Sequence, residues 1–139
     1  MESLKRFHEA QKYSYDTALN EIKSGRKNSC WMWYIFPQIK GLGNSSYSAY
    51  YAISDIDEAR EYIEDEVLGG RLIEMCQELL KLKSNNASEV FGFPDDMKLK
   101  SSMTLFWKVS GNEIFKNVID KFFNGEEDEL TLKILNNLK

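Results

Sequence analysis

Few side chains in this chain could do chemistry, and their inventory sets the terms. His8 is the only histidine, and Cys30 and Cys76 are the only cysteines. A structural metal site fails on that count, since zinc sites draw on four clustered Cys or His ligands. Carboxylate-only binding of Mg²⁺ or Ca²⁺ has no loop signature here. Neither a metal nor a cofactor is implied. Cys30 could serve as a nucleophile, because a thiol at a helix N-terminus ionises more readily and Lys27 is close in sequence. His8 would then have to supply the base from another helix. The plainer reading makes Cys30 a small apolar residue of the core beside Trp31.

Anion binding has more to draw on. Gly41-Leu42-Gly43-Asn44-Ser45-Ser46 is superficially like a glycine-rich phosphate loop. It lacks the third glycine and the preceding strand of a βαβ unit, so a dinucleotide fold is untenable. Backbone N–H groups from Asn44 to Ser46 at a helix start could still hold an anion, with Arg26, Lys27 and Lys40 nearby. Asp95-Asp96, followed by Lys98 and Lys100, could orient a substrate or move protons. Acidic residues in a first helical turn also serve the helix dipole, which is the plainer reading. Ser101, Ser102 and Thr104 make the next turns unusually rich in hydroxyls. Such groups either bond back to helix carbonyls or, facing a cleft, line a polar pocket.

The elements that must position these groups are organised around Trp31-Met32-Trp33-Tyr34-Ile35-Phe36-Pro37-Gln38. Aromatic side chains each bury roughly 150–250 Å², so a run of this bulk belongs to a core and holds the polar loops at its two ends. Pro37 keeps Phe36 out of the α region, so a helix beginning near Ser29 ends by about Ile35. Upstream, apolar residues at Leu4, Phe7, Tyr15, Ala18, Leu19 and Ile22 have helical spacing. The phase is lost around Gln11-Lys12-Tyr13-Ser14, so two short helices, the second capped by Ser14, compete with one long one. Gly25 stops it.

Ser45 or Ser46 caps a short helix to about Ala52. Ser54-Asp55 opens another, which ends near Glu64. Glu66 to Leu82 is the clearest amphipathic helix, and Gly69-Gly70 inside it suggests close packing. Asn86 with Glu89 reads as a capping box around Val90. Pro94 stands at the first position of a helix interrupted near Lys100 to Ser102. Asn112 caps a helix closed by Asn124-Gly125, and Asp128 begins the last. Period-two alternation beside a hairpin turn is absent. The expectation is an all-α domain over residues 1–139, with seven to nine mostly short helices around an aromatic-rich core.

The totals bound the function classes. The chain has 139 residues, a net charge of -4 and 29% charged residues. An acidic balance argues against duplex nucleic-acid binding, which normally needs a basic face. With no stretch near the roughly 20 apolar residues of a membrane span and no apolar leader, a cytoplasmic protein with reduced thiols is expected.

Taken together, these landmarks resemble one family, the small bacterial proteins of domain-of-unknown-function family 1810. The residues that carry the resemblance begin with Arg6-Phe7, Ala10-Gln11, Tyr15-Asp16, Gly25-Arg26-Lys27 and the Trp31–Gln38 string. Gly41-Leu42-Gly43, Val67-Leu68-Gly69, Phe91-Gly92, Pro94-Asp95-Asp96 and Ser101-Ser102-Met103-Thr104-Leu105-Phe106 complete it. The resemblance implies a compact multihelical fold and no reaction. The family pattern commonly has a histidine before the first tryptophan, where this chain has Cys30, so a mechanism needing an imidazole there is disfavoured.

The resulting expectation is one cleft for a small polar or anionic, nucleotide-like ligand. Lys27, Lys40 and the backbone at Ser45 would hold the anion. Gln38, Asp96, Lys98, Ser102 and Thr104 would orient the rest, and Trp31 or Trp33 would form a stacking wall. Whether catalysis follows is left open. The alternative is a non-enzymatic interaction or accessory module using an exposed aromatic or acidic helical surface. A third is a homodimer whose motifs serve only packing.

Overall fold

The computed structural model describes residues 4–43 and 45–139. Among them it forms nine helices and no strand, the all-α architecture expected from the pattern. The first, α1 (Lys5–Ser24), is one continuous helix ended by Gly25 at φ 84°. The phase gap at Gln11 has a physical cause. Phe7, Gln11, Tyr15, Ala18 and Ile22 are the buried stripe, so a glutamine occupies a core position. Its amide donates to the Tyr34 carbonyl at 2.8 Å and the Tyr62 hydroxyl at 3.0 Å, which makes its burial tolerable. Ser14 caps nothing; it accepts a hydrogen bond from the Tyr34 hydroxyl.

The aromatic run yields only a single turn, α2 (Met32–Ile35), with Trp31 at its N-cap. It starts three residues later than Ser29 because residues 27–31 are held otherwise. Glu21, on the last turn of α1, accepts from the backbone N–H groups of Asn28 and Ser29, the Ser29 hydroxyl and the Trp31 indole. Lys27 N–H donates to the Val90 carbonyl at 2.7 Å. Pro37 ends the turn as its sterics require.

The chain then makes an excursion closed at its base. Ile39 and Ile53 form an isolated parallel bridge, through Lys40 N–H to Ile53 O at 2.8 Å and Ile53 N–H to Gln38 O at 2.9 Å. The excursion carries α3 (Ser46–Tyr51), which has no buried residue and is capped by Ser45. Next come α4 (Ile56–Glu64, capped by Asp55) and α5 (Glu66–Lys81, capped by Asp65). Gly69 on α5 lies against α4 so closely that a Cβ would sit 2.0 Å from the Ile63 carbonyl oxygen, whereas Gly70 has open space.

After α6 (Ala87–Phe91) runs α7 (Asp95–Ser110), without the interruption expected near Ser102. Pro94 stands at its N-cap, one position earlier than expected, behind a cis Phe93–Pro94 bond. From Leu99 to Phe106 all but Lys100 are buried, and α7 packs on α4, α6, α8 and α9. It is the central helix, apolar on most sides because neighbours cover most sides. The last two are α8 (Glu113–Phe123, capped by Asn112) and α9 (Glu129–Leu138, capped by Asp128). One hydrophobic core holds two sets of touching rings, Trp31, Phe36 and Phe91 in one and Tyr62, Phe106 and Phe115 in the other.

Candidate functional site

The base of the excursion and the first two turns of α7 form two adjoining depressions. One, of about 220 Å³, lies between Trp33, Gln38, Lys40, Gly41 and Ala52. The other, of about 250 Å³, lies between Gln38 and the Pro94, Met97, Lys98, Ser101 face of α7, with Asp128 and Leu130 beyond. Gln38, Leu42, Gly43 and Ser48 line both, so the two are one groove divided at Gln38. The backbone of Gln38 is fixed by the Ile53 bond, while its side-chain amide hydrogen-bonds to none of the described residues. An adjacent donor and acceptor are thus unspent at the divide.

Trp33 forms the wall of the first depression. Tyr47 stacks on it at 4.9 Å between ring centroids and 26° between planes, and the Lys98 ammonium lies 4.8 Å from its ring centroid. Lys98 also contacts Asp95 at 3.4 Å, and Asp95 holds Lys27 with its other oxygen at 2.7 Å. Lys27 in turn lies 5.1 Å from the Trp31 ring centroid. A chain of charges therefore runs from the groove, through one carboxylate, to the buried aromatic run.

Of the anticipated ligand contacts, Trp33, Gln38, Lys40 and Lys98 come together along this groove. Lys27 does not line it. Its side chain is 8% exposed, and the residue borders a separate depression with Arg26, Ser88 and Gly92, joined to the groove only through Asp95. Trp31 is 1% exposed and gives its indole N–H to Glu21, so it is core and no stacking wall. Thr104 is buried with both hydrogen-bonding roles taken, donating to the Lys100 carbonyl and accepting from Asp128 N–H. It ties α7 to the start of α9 and faces no ligand. Ser102 is equally buried, and its hydroxyl has no partner among the described residues; the hydroxyl that reaches the groove is that of Ser101. Asp96 is also turned inward, accepting from the Ser88 hydroxyl at 2.6 Å. Ser45 spends its hydroxyl on the Ser48 N–H and Oγ, at the cap of a helix of six residues. Asn44, counted toward the anion loop, lies outside the described residues.

The nucleophile reading loses its supports. Cys30 is exposed, so it is neither core nor at the N-terminus of α2, which starts at Met32. His8 bonds Asp65 at 3.0 Å, at the start of α5. Among the described residues no three His, Cys, Asp or Glu side chains gather as a metal site would need.

Of the Asp95-Asp96 pair named as possible substrate-orienting or proton-moving groups, Asp95 is the one that meets Lys98 at the groove, whereas Glu21 is a residue that the pattern does not point to. Asp95 has a signal in the sequence. Asp96 shares its helical face with Leu99 and Met103, which turns it inward and leaves Asp95 on the face of Lys98. Glu21 has none, because its partners are backbone groups whose direction no spacing reveals. Burial raises the affinity of Glu21 for a proton, but its hydrogen bonds from Ser29, Asn28 and Trp31 outweigh this and hold the carboxyl at about 2.

A family model described as "Protein of unknown function (DUF1810)" matches residues 1–135. A crystal structure of a conserved hypothetical protein from Mycobacterium tuberculosis is similar in fold and sequence. The TM-score is 0.94 at 40% identity, over 96% of each chain. No curated protein matches.

Proposed function

The chain belongs to this DUF1810 family, whose membership brings a fold and no reaction, and from the geometry we propose that it binds a small anionic, nucleotide-like ligand in the groove at Gln38. The observation that carries the reading is the unspent Gln38 amide between an aromatic wall and an ammonium. A planar heterocycle with adjacent donor and acceptor would pair with the amide beside the edge of Trp33, whose two faces carry Tyr47 and the Lys98 ammonium. Lys98 at one end and Lys40, which is exposed and has no ion-pair partner among the described residues, would receive the anion. The reading is of binding, with no reaction assigned.

Thermal-shift and calorimetric titration with adenosine 5′-monophosphate and related nucleotides tests this, since a ligand of the native state raises its melting temperature. Binding by the wild type, weakened about tenfold or more by Gln38→Leu and by Lys98→Met, is the expected result. No binding by the wild type to any nucleotide, or equal binding by both variants, ends the proposal.

One observation favours the non-enzymatic alternative. Phe93 is 83% exposed, and Tyr47, Tyr50, Met97 and Leu130 are also exposed around the groove. Exposed apolar side chains gathered in this way suit a protein contact. A mass rising with concentration in light scattering, and returned to that of one chain by Leu130→Glu, would shift the weight to self-association.

A further inference from the structure

We infer that Asp95 is the displaceable counterion of the groove: the phosphate of a bound ligand takes Lys98 away from Asp95, while Lys27 stays and keeps Asp95 neutralised. The inference rests on the groove being a ligand site. It concerns which residue sets the affinity of that site for charge.

The two ion pairs of Asp95 are unequal. Lys27 sits 2.7 Å from Oδ2, has a side chain only 8% exposed, and also donates to the Ser29 carbonyl at 2.5 Å. Its loop is fixed besides by the bond from its own N–H to Val90 and by Glu21. Lys98 sits at 3.4 Å from Oδ1 and borders the groove, and its second neighbour is the face of Trp33. The looser, more accessible ammonium is therefore the one beside the ligand space. Partly exposed pairs of this kind are weak, so exchanging one carboxylate for a phosphate oxygen costs little. Asp95 is not stranded by the exchange, because its closer partner remains; a carboxylate left alone in a partly buried site would resist it strongly.

Asp95 thereby sets the affinity of the groove for charge by competing with the anion for Lys98. In the empty groove its carboxylate occupies Lys98 and repels an incoming anion. A neutral ligand has nothing to offer Lys98, whereas a phosphate replaces what it displaces.

The test compares adenosine, adenosine 5′-monophosphate and inorganic pyrophosphate by calorimetry on the wild type and Asp95→Asn. Removing the competing charge makes both phosphate-bearing probes bind about three- to tenfold tighter and leaves adenosine unchanged. Wild-type phosphate binding that Asp95→Asn leaves equal or weakens overturns the inference and spares the groove. Absence of binding by the wild type overturns both. Should Asp95→Asn not fold, a crystal structure of the wild type with adenosine 5′-monophosphate decides. Lys98 Nζ on the phosphate and more than about 4 Å from Asp95, with Lys27 in place, agrees; Lys98 still on Asp95 does not.

Discussion

At the scale of single residues, Glu21 does the most with the least warning. One carboxylate receives bonds from two backbone N–H groups, a hydroxyl and an indole, and so fixes the path from α1 to the aromatic turn. Its carboxyl is held at about 2, below an ordinary value of 4.5. The folded state thus binds this proton less readily than the unfolded chain. The resulting stability is complete above pH 4.5 and is lost as pH falls toward 2. Glu21→Gln should lower stability at pH 7 by about 1–3 kcal/mol, the range for losing charged hydrogen bonds. In urea titrations the gap between the two proteins should narrow steadily from pH 4.5 down to pH 2.5. A gap independent of pH would show that the carboxylate charge is irrelevant. Residue chemistry of this sort is hidden from sequence, because it depends on which backbone groups point inward. Gln11 is the same lesson in reverse: a polar letter that breaks the apolar rhythm is a core residue, because two tyrosines supply its partners.

Helices were legible where their signals are local. Asp55, Asn86, Asn112 and Asp128 cap the helices they were expected to cap, since a cap needs only the next three residues. The face of α7 was not legible. Its hydroxyl-rich turns read as a polar lining, yet neighbours on four helices enclose Ser102 and Thr104 and leave Ser101 at the groove. The paired glycines of α5 give a test confined to this scale. Gly69→Ala would drive a Cβ into the Ile63 carbonyl and should destabilise by about 1–3 kcal/mol or more. Gly70→Ala meets nothing and should stabilise by up to about 1 kcal/mol through helix propensity. Melting temperatures moving in opposite directions support the packing; two losses of equal size contradict it.

For the whole molecule, the groove arises from segments far apart in sequence. Gln38 comes from the end of the aromatic run, Lys98 from α7 and Leu130 from α9. Lys27 reaches the same Asp95 from the other side of that run. This is why the chain's pattern points to a family, a fold and a set of candidate residues, of which Trp33, Gln38, Lys40 and Lys98 meet at the groove and Lys27, Trp31, Asp96, Ser102 and Thr104 do not line it. Lysines, aspartates and serines could be named as candidates, but their meeting depends on how α7 is enclosed. Elsewhere the ends of the fold are tied in the same long-range way. Arg6 donates to both oxygens of Glu58 and to the Ala52 carbonyl, joining α1 to the segment that follows the excursion.

The bridge between Ile39 and Ile53 makes that excursion a detour and not a through-road. The helix α3 hangs from this closed junction and has no fully buried residue, touching the core mainly through the half-buried Tyr51 ring. A break inside it therefore cuts the polypeptide without cutting the architecture. Brief chymotrypsin treatment should cleave after Tyr47 or Tyr50, both 59% exposed in a helix of six residues, before Tyr13, which is 80% exposed but lies inside the 20-residue α1. The two fragments, separable under denaturing conditions, should elute as one particle and melt cooperatively. Fragments that drift apart on cleavage would mean that the detour itself holds the halves together.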